Sequence, residues 1–175
     1  VIGGFVTPLL VETEDPSTWG LFIYLSFLIA AALAIVRYTA AWWLGQITLA
    51  GAAAWLALCF LTFWRPGEAA AVGTFLILLA VLAFYVPAPV LLTRDPPNDW
   101  EGAIDAPAVT AVLAALLVAV FLFVLLRMES YGTTALVGLA LFAGLCFLTG
   151  FRAPWFDTLP VLAGVLTIVS IAAWH

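Results

Sequence analysis

The sequence predicts an all-α fold: a polytopic transmembrane helix bundle of about six spans. Three observations lead there. First, 66% of the 175 residues are hydrophobic and only 9% are charged. A typical soluble domain has about 25% charged residues, so this chain cannot cover a fold of its size with polar surface. Second, the charges leave long uncharged intervals, at 16–36, 38–64, 69–93, 106–126, 130–151 and 158–174. Crossing the hydrocarbon core takes about 20 apolar residues, with about 17 as the lower limit. Five intervals meet the first figure and the last meets the second. A charge held near the bilayer centre costs roughly 2.5–3.5 kcal/mol on insertion scales, which explains the exclusion. Third, Trp19, Trp42, Trp43, Trp64, Trp100, Trp155 and Trp174 fall near the interval ends, and a half-wet indole favours the headgroup level. A signal peptide has one short apolar core, whereas here the pattern recurs. A β-barrel strand alternates apolar and polar residues, and Ala111 to Leu126 shows no alternation.

The elements follow in order. Residues 1–10 read as the tail of a preceding span or a loop. After the acidic turn Glu12-Thr13-Glu14-Asp15-Pro16, span one runs from Trp19 to Val36 and stops at Arg37. Asp15 or Ser17 can cap its free N–H groups, and Pro16 suits a first turn. Span two covers Ala41 to Trp64, and Arg65-Pro66-Gly67-Glu68 then forms a tight polar turn. Span three runs from Ala69 to Tyr85, with Pro87 and Pro89 as breakers. The longest polar loop is Thr93 to Pro107. Spans four, five and six are read at Ala108 to Leu126, Thr133 to Phe151 and Leu159 to Trp174. Six crossings place Arg37, Arg94 and Arg152 on one side and Arg65 and Arg127 on the other. That balance does not choose an orientation under the positive-inside rule.

The chain also resembles itself. Leu49–Arg65 and Leu136–Arg152 share Leu-Cys-Phe-Leu-Thr, at residues 58–62 and 145–149, followed three residues later by Arg65 and Arg152. A second echo sets Thr13-Glu14-Asp15-Pro16 before Trp19 and Thr93-Arg94-Asp95-Pro96 before Trp100. Two three-span units are expected, at 11–92 and 93–175. An odd span count turns the second unit upside down, giving an inverted 3+3 repeat of the sort found in many secondary transporters.

Reactive chemistry is sparse. The lone His175 is terminal, and Asp95, Asp99, Glu101 and Asp105 share one loop that reads as a solvated turn or a functional loop. Gln46 and Thr48 are the candidate substrate contacts or interhelical polar contacts, because an amide in lipid needs a partner. Cys59 and Cys146 lie in apolar runs and read as small buried hydrophobes. Ala50/Ala54 and Ala140/Gly144 have the spacing of close helix packing. No catalytic residue, metal ligand or cofactor is expected. Without any Lys, and at net charge −5, the chain has no basic patch for nucleic acid. The expected partners are the lipid bilayer and further transmembrane helices, from the same longer chain or a partner subunit.

The opening Gly3-Gly4-Phe5-Val6-Thr7-Pro8-Leu9-Leu10, followed by Trp19-Gly20-Leu21-Phe22-Ile23-Tyr24-Leu25, resembles a family of large predicted bacterial and archaeal membrane proteins of unknown function. Its members carry a Gly-Gly-Phe-x-Thr-Pro-Leu-Leu segment. The acidic run Glu12, Glu14, Asp15 departs from the small neutral residues expected there. The resemblance implies a multi-pass protein, further copies of the repeat, and no assigned catalytic residue. It agrees with the start at Val1 and the stop at His175, which suggest a segment of something longer. Three functions stay open: a structural or scaffold segment of a multi-pass protein of the cytoplasmic membrane, a transporter module of inverted repeats, and a membrane enzyme acting on a lipid-linked substrate. The scaffold is the leading expectation.

Overall fold

A computed structural model of the chain describes residues 18–86, 106–152 and 158–174. All the regular structure there is helical. The helices are α1 (Thr18–Thr39), α2 (Trp42–Leu58), α3 (Ala69–Tyr85), α4 (Ala106–Met128), α5 (Thr133–Arg152) and α6 (Thr158–Ala172). Each falls within one uncharged interval, overrunning it by no more than three residues. Their boundaries have local causes. Pro107 and Pro160 sit in first turns, where a missing N–H leaves no helical bond unmade. Arg37, Arg127 and Arg152 occupy last turns, where a cation meets the negative end of the helix dipole. Ala40, at φ 55°, reverses the chain between α1 and α2.

One expectation is corrected. Span two is not one α-helix through Trp64: after Leu58 the chain widens into a π-helical turn, Cys59–Phe63, and becomes extended at Trp64. Spans three and six are found where they were expected and are the shortest, α3 with 17 helical residues and α6 with 15. At 1.5 Å per residue these reach roughly 26 and 23 Å, against a core of about 30 Å. Four helices are long and apolar enough to cross a bilayer by length and composition: α1, α2 counted through Thr62, α4 and α5.

Close contacts fix the helix directions. Thr18 and Glu68 meet at the starts of α1 and α3, and Phe22 lies 4.8 Å from Phe75, so these helices run parallel. A Cβ on Gly73 would stand 3.9 Å from Thr134, at the start of α5, and 3.7 Å from Leu125, near the end of α4. So α5 runs with α3, and α4 runs against it. Gly45 approaches Thr110 at the starts of α2 and α4, and Phe60 lies 5.9 Å from Phe121 further along. Arg127 reaches Ala173 at the ends of α4 and α6. Hence α1, α3 and α5 form one parallel layer, and α2, α4 and α6 form a second layer running the other way. The hairpins α1–α2, α3–α4 and α5–α6 bridge the layers.

The core passes through all six helices and is richest around α3 and α4. There Val72, Leu76, Ala114, Ala115, Val118 and Leu122 are fully enclosed. Small residues let backbones close up where no hydrophobic drive separates helix from lipid. The outer surface carries Phe27, Leu61, Val161 and Ile168, all well exposed. Large apolar surface of this kind suits lipid rather than water.

Candidate functional site

Polar side chains are few, and most are satisfied within their own helix. Ser26, Thr48, Thr110, Thr149 and Thr167 each donate a hydroxyl hydrogen bond to the carbonyl four residues back, at 2.7–2.8 Å. Such back-bonding removes a donor from any site. Thr48 is fully buried and its hydroxyl is held by the Leu44 carbonyl. Gln46, two residues earlier, points to the outer surface, since positions two apart on a helix lie on different sides. The two candidate contacts are therefore not brought together. Asp95, Asp99, Glu101, Asp105 and His175 lie outside the described residues. Cys59 and Cys146 are free and buried, as a small apolar residue would be.

The described polar groups that do converge lie at one end of the bundle, the Glu68 end. The Thr18 hydroxyl donates to Glu68 Oε1 at 2.6 Å, tying α1 to α3. Glu129 Oε2 accepts from the Ala135 N–H at 3.0 Å and so covers the start of α5. The Arg127 guanidinium donates to the Ala173 carbonyl at 2.7 Å, at the end of α6. Tyr131 stacks on Trp174, with centroids 5.1 Å apart and planes 4° from parallel. The α4–α5 corner that presents these groups turns through Ser130 and Tyr131, at φ 50° and 62°. Gly132 follows, where a Cβ would come within 2.6–2.8 Å of the Glu129 side chain. The Glu129 and Arg127 bonds satisfy backbone groups at helix termini that would otherwise be unpaired.

Glu68 Oε2, the Tyr131 hydroxyl and the Ser170 hydroxyl are buried without a partner among the described residues. An unmade buried hydrogen bond costs about 1–3 kcal/mol. Sequence reading missed this cluster because Arg127 and Glu129 looked like interval boundaries. The available signal was an acid a few residues before an apolar run, the position of a helix N-terminal cap. The arrangement staples helix ends; it does not assemble a nucleophile with a base.

Residues 1–174 match the family described as predicted membrane protein, DUF2339. The chain belongs to that family. Membership in DUF2339 agrees with the apolar helices and the layered bundle, and it assigns no reaction. No curated protein and no solved structure matches the chain.

Proposed function

We propose that this DUF2339 chain is a structural segment of a larger multi-pass protein in the cytoplasmic membrane, built to pack against further transmembrane helices. One observation carries the reading: the side-chain hydrogen bonds of Thr18, Thr48, Thr110, Arg127 and Glu129 serve helix ends or the donor's own helix, while the apolar core runs unbroken through all six helices. Among the described residues, both edges of the double layer have no further helix beside them, with α1 and α2 at one edge and α5 and α6 at the other. A photo-crosslinking residue at Val165, on the outer side of α6, should give adducts that map to a transmembrane helix of the longer chain or of a second copy. Adducts with lipid alone would overturn the reading.

A second reading, a transport module of inverted repeats, draws support from helix direction. α1 and α4 run oppositely, as do α2 and α5, which is the relation that inverted units require. Against it, Thr48 and Thr110 are buried with their hydroxyls already engaged. Ion flux through vesicles containing the chain, abolished by Thr48→Val, would favour transport over scaffolding.

A further inference from the structure

Between α1 and α3, which lie side by side in one layer, a groove of about 350 Å³ opens on the outer surface. Trp19, Ile23 and Phe27 form one wall, and Thr74, Leu78 and Leu82 contribute to the other. Ser26 also borders it, but its hydroxyl donates to the Phe22 carbonyl and leaves the wall apolar. The groove begins beside Trp19, at the level where Thr18 meets Glu68, and ends at Ala30 and Leu82. Eleven residues of helix rise about 16 Å, half of a hydrocarbon core of about 30 Å. The groove therefore runs from the headgroup level to the middle of the bilayer, the depth of one leaflet.

Its dimensions select the occupant. A helix is about 10 Å across, so a segment of that length needs more than roughly 1,000 Å³. Trp19, Ile23, Phe27 and Leu78 project along the walls, with the small residues Ser26, Ala30, Ala71 and Thr74 leaving the space between them. At roughly the 30 Å³ share of a water-sized group, the groove has room for about a dozen methylenes in file. Charge adds a second argument. Arg65 stands at the Glu68 end, three residues before Glu68, exposed and with no ion pair among the described residues. A guanidinium at headgroup depth complements a phosphodiester.

We propose that the α1–α3 groove is a phospholipid site that holds one acyl chain from the leaflet at the Glu68 end, with Arg65 meeting the lipid phosphate. The site is independent of whether the bundle is a scaffold or a transporter.

The test starts with the whole chain in vesicles of equal parts phosphatidylglycerol and phosphatidylcholine. The chain is extracted in mild detergent and weighed by native mass spectrometry. The parent should retain one phospholipid. Thr74→Phe, which fills the groove from an exposed position, should lower occupancy at least tenfold. Arg65→Gln should lower it severalfold, and Val165→Phe, on the far edge, should leave it unchanged. A parent without retained lipid, or equal losses in Thr74→Phe and Val165→Phe, would overturn the site, and unchanged retention in Arg65→Gln would overturn the phosphate contact. A measurement without variants protects the test from misfolding. A phospholipid with a diazirine midway along its acyl chain should label peptides containing Ile23, Phe27 and Leu78. Labelling spread evenly over the outer faces of all six helices would reject the groove.

Discussion

The pentapeptide Leu-Cys-Phe-Leu-Thr occurs twice, and its two copies live in different surroundings. At Leu58–Thr62 it closes α2 in a π-helical turn; at Leu145–Thr149 it lies within regular α5. Both cysteines are buried, and both threonines donate to the carbonyl of the leucine four residues back, at 2.6 and 2.7 Å. The phenylalanines part company. Phe60 is 8% exposed and stacks between Trp64, at 5.1 Å, and Phe121, at 5.9 Å, whereas Phe147 is 56% exposed. In the second copy the residue after the buried cysteine faces outward. In the first, cysteine and phenylalanine are buried together within the wider turn. The surroundings differ: Phe60 has Phe121 of α4 beside it, and Phe147 has no ring partner among the described residues.

The largest expected effect separates the two rings. Phe60→Ala removes a buried aromatic and should cost about 3–5 kcal/mol. Phe147→Ala should stay within about 0.5 kcal/mol, as exposed substitutions do. Unfolding by dodecyl sulfate in mixed micelles measures both, and equal losses would break the contrast. A smaller effect tests how tightly α5 is held upstream of its copy. A Cβ on Gly138 would meet Leu122 Cδ2 at 3.2 Å, while Gly144 has nothing within 4 Å. Gly138→Ala should therefore destabilise by about 1 kcal/mol through overpacking. Gly144→Ala should stabilise by up to about 1 kcal/mol through helix propensity, and the same titration reads the opposite signs. Next, Gly132→Ala should displace Glu129 from the start of α5 at a cost of about 1 kcal/mol, the worth of a cap. Fraying would show as faster amide exchange at Ala135. The smallest effect concerns what the copies share: Thr62→Val and Thr149→Val should each change stability by no more than about 0.6 kcal/mol, near the mean for polar contacts within membranes.

Much of the bundle was legible in the sequence because charge exclusion is a strong physical signal. Arg37, Arg65, Arg127 and Arg152 marked helix ends correctly. The π-helical turn was not legible: four of the five residues Cys59–Phe63 recur in α5, with only Phe63 against Gly150 differing, and the Phe121 ring that meets Phe60 lies far away in the chain. The layer order was hidden for a similar reason. Hydropathy finds a span but does not say which of its sides faces another helix. The groove was hidden too, since Ile23, Phe27, Thr74 and Leu78 become one surface only when α1 and α3 lie side by side. The candidate pair Gln46 and Thr48 failed to converge because two residues along a helix is a large rotation, which the spacing itself could have warned of.

The alternation of the layers has an electrical consequence. Three helix dipoles point one way and three the other, so their fields largely cancel across the slab. The described charges in the helices, Arg37, Arg127 and Arg152, all sit in last turns. A membrane voltage does work only on charge that moves through its field, about 2.3 kcal/mol per charge per 100 mV. The six described helices therefore offer that voltage little to grip, and they should hold the same arrangement in an energised membrane as in a resting one.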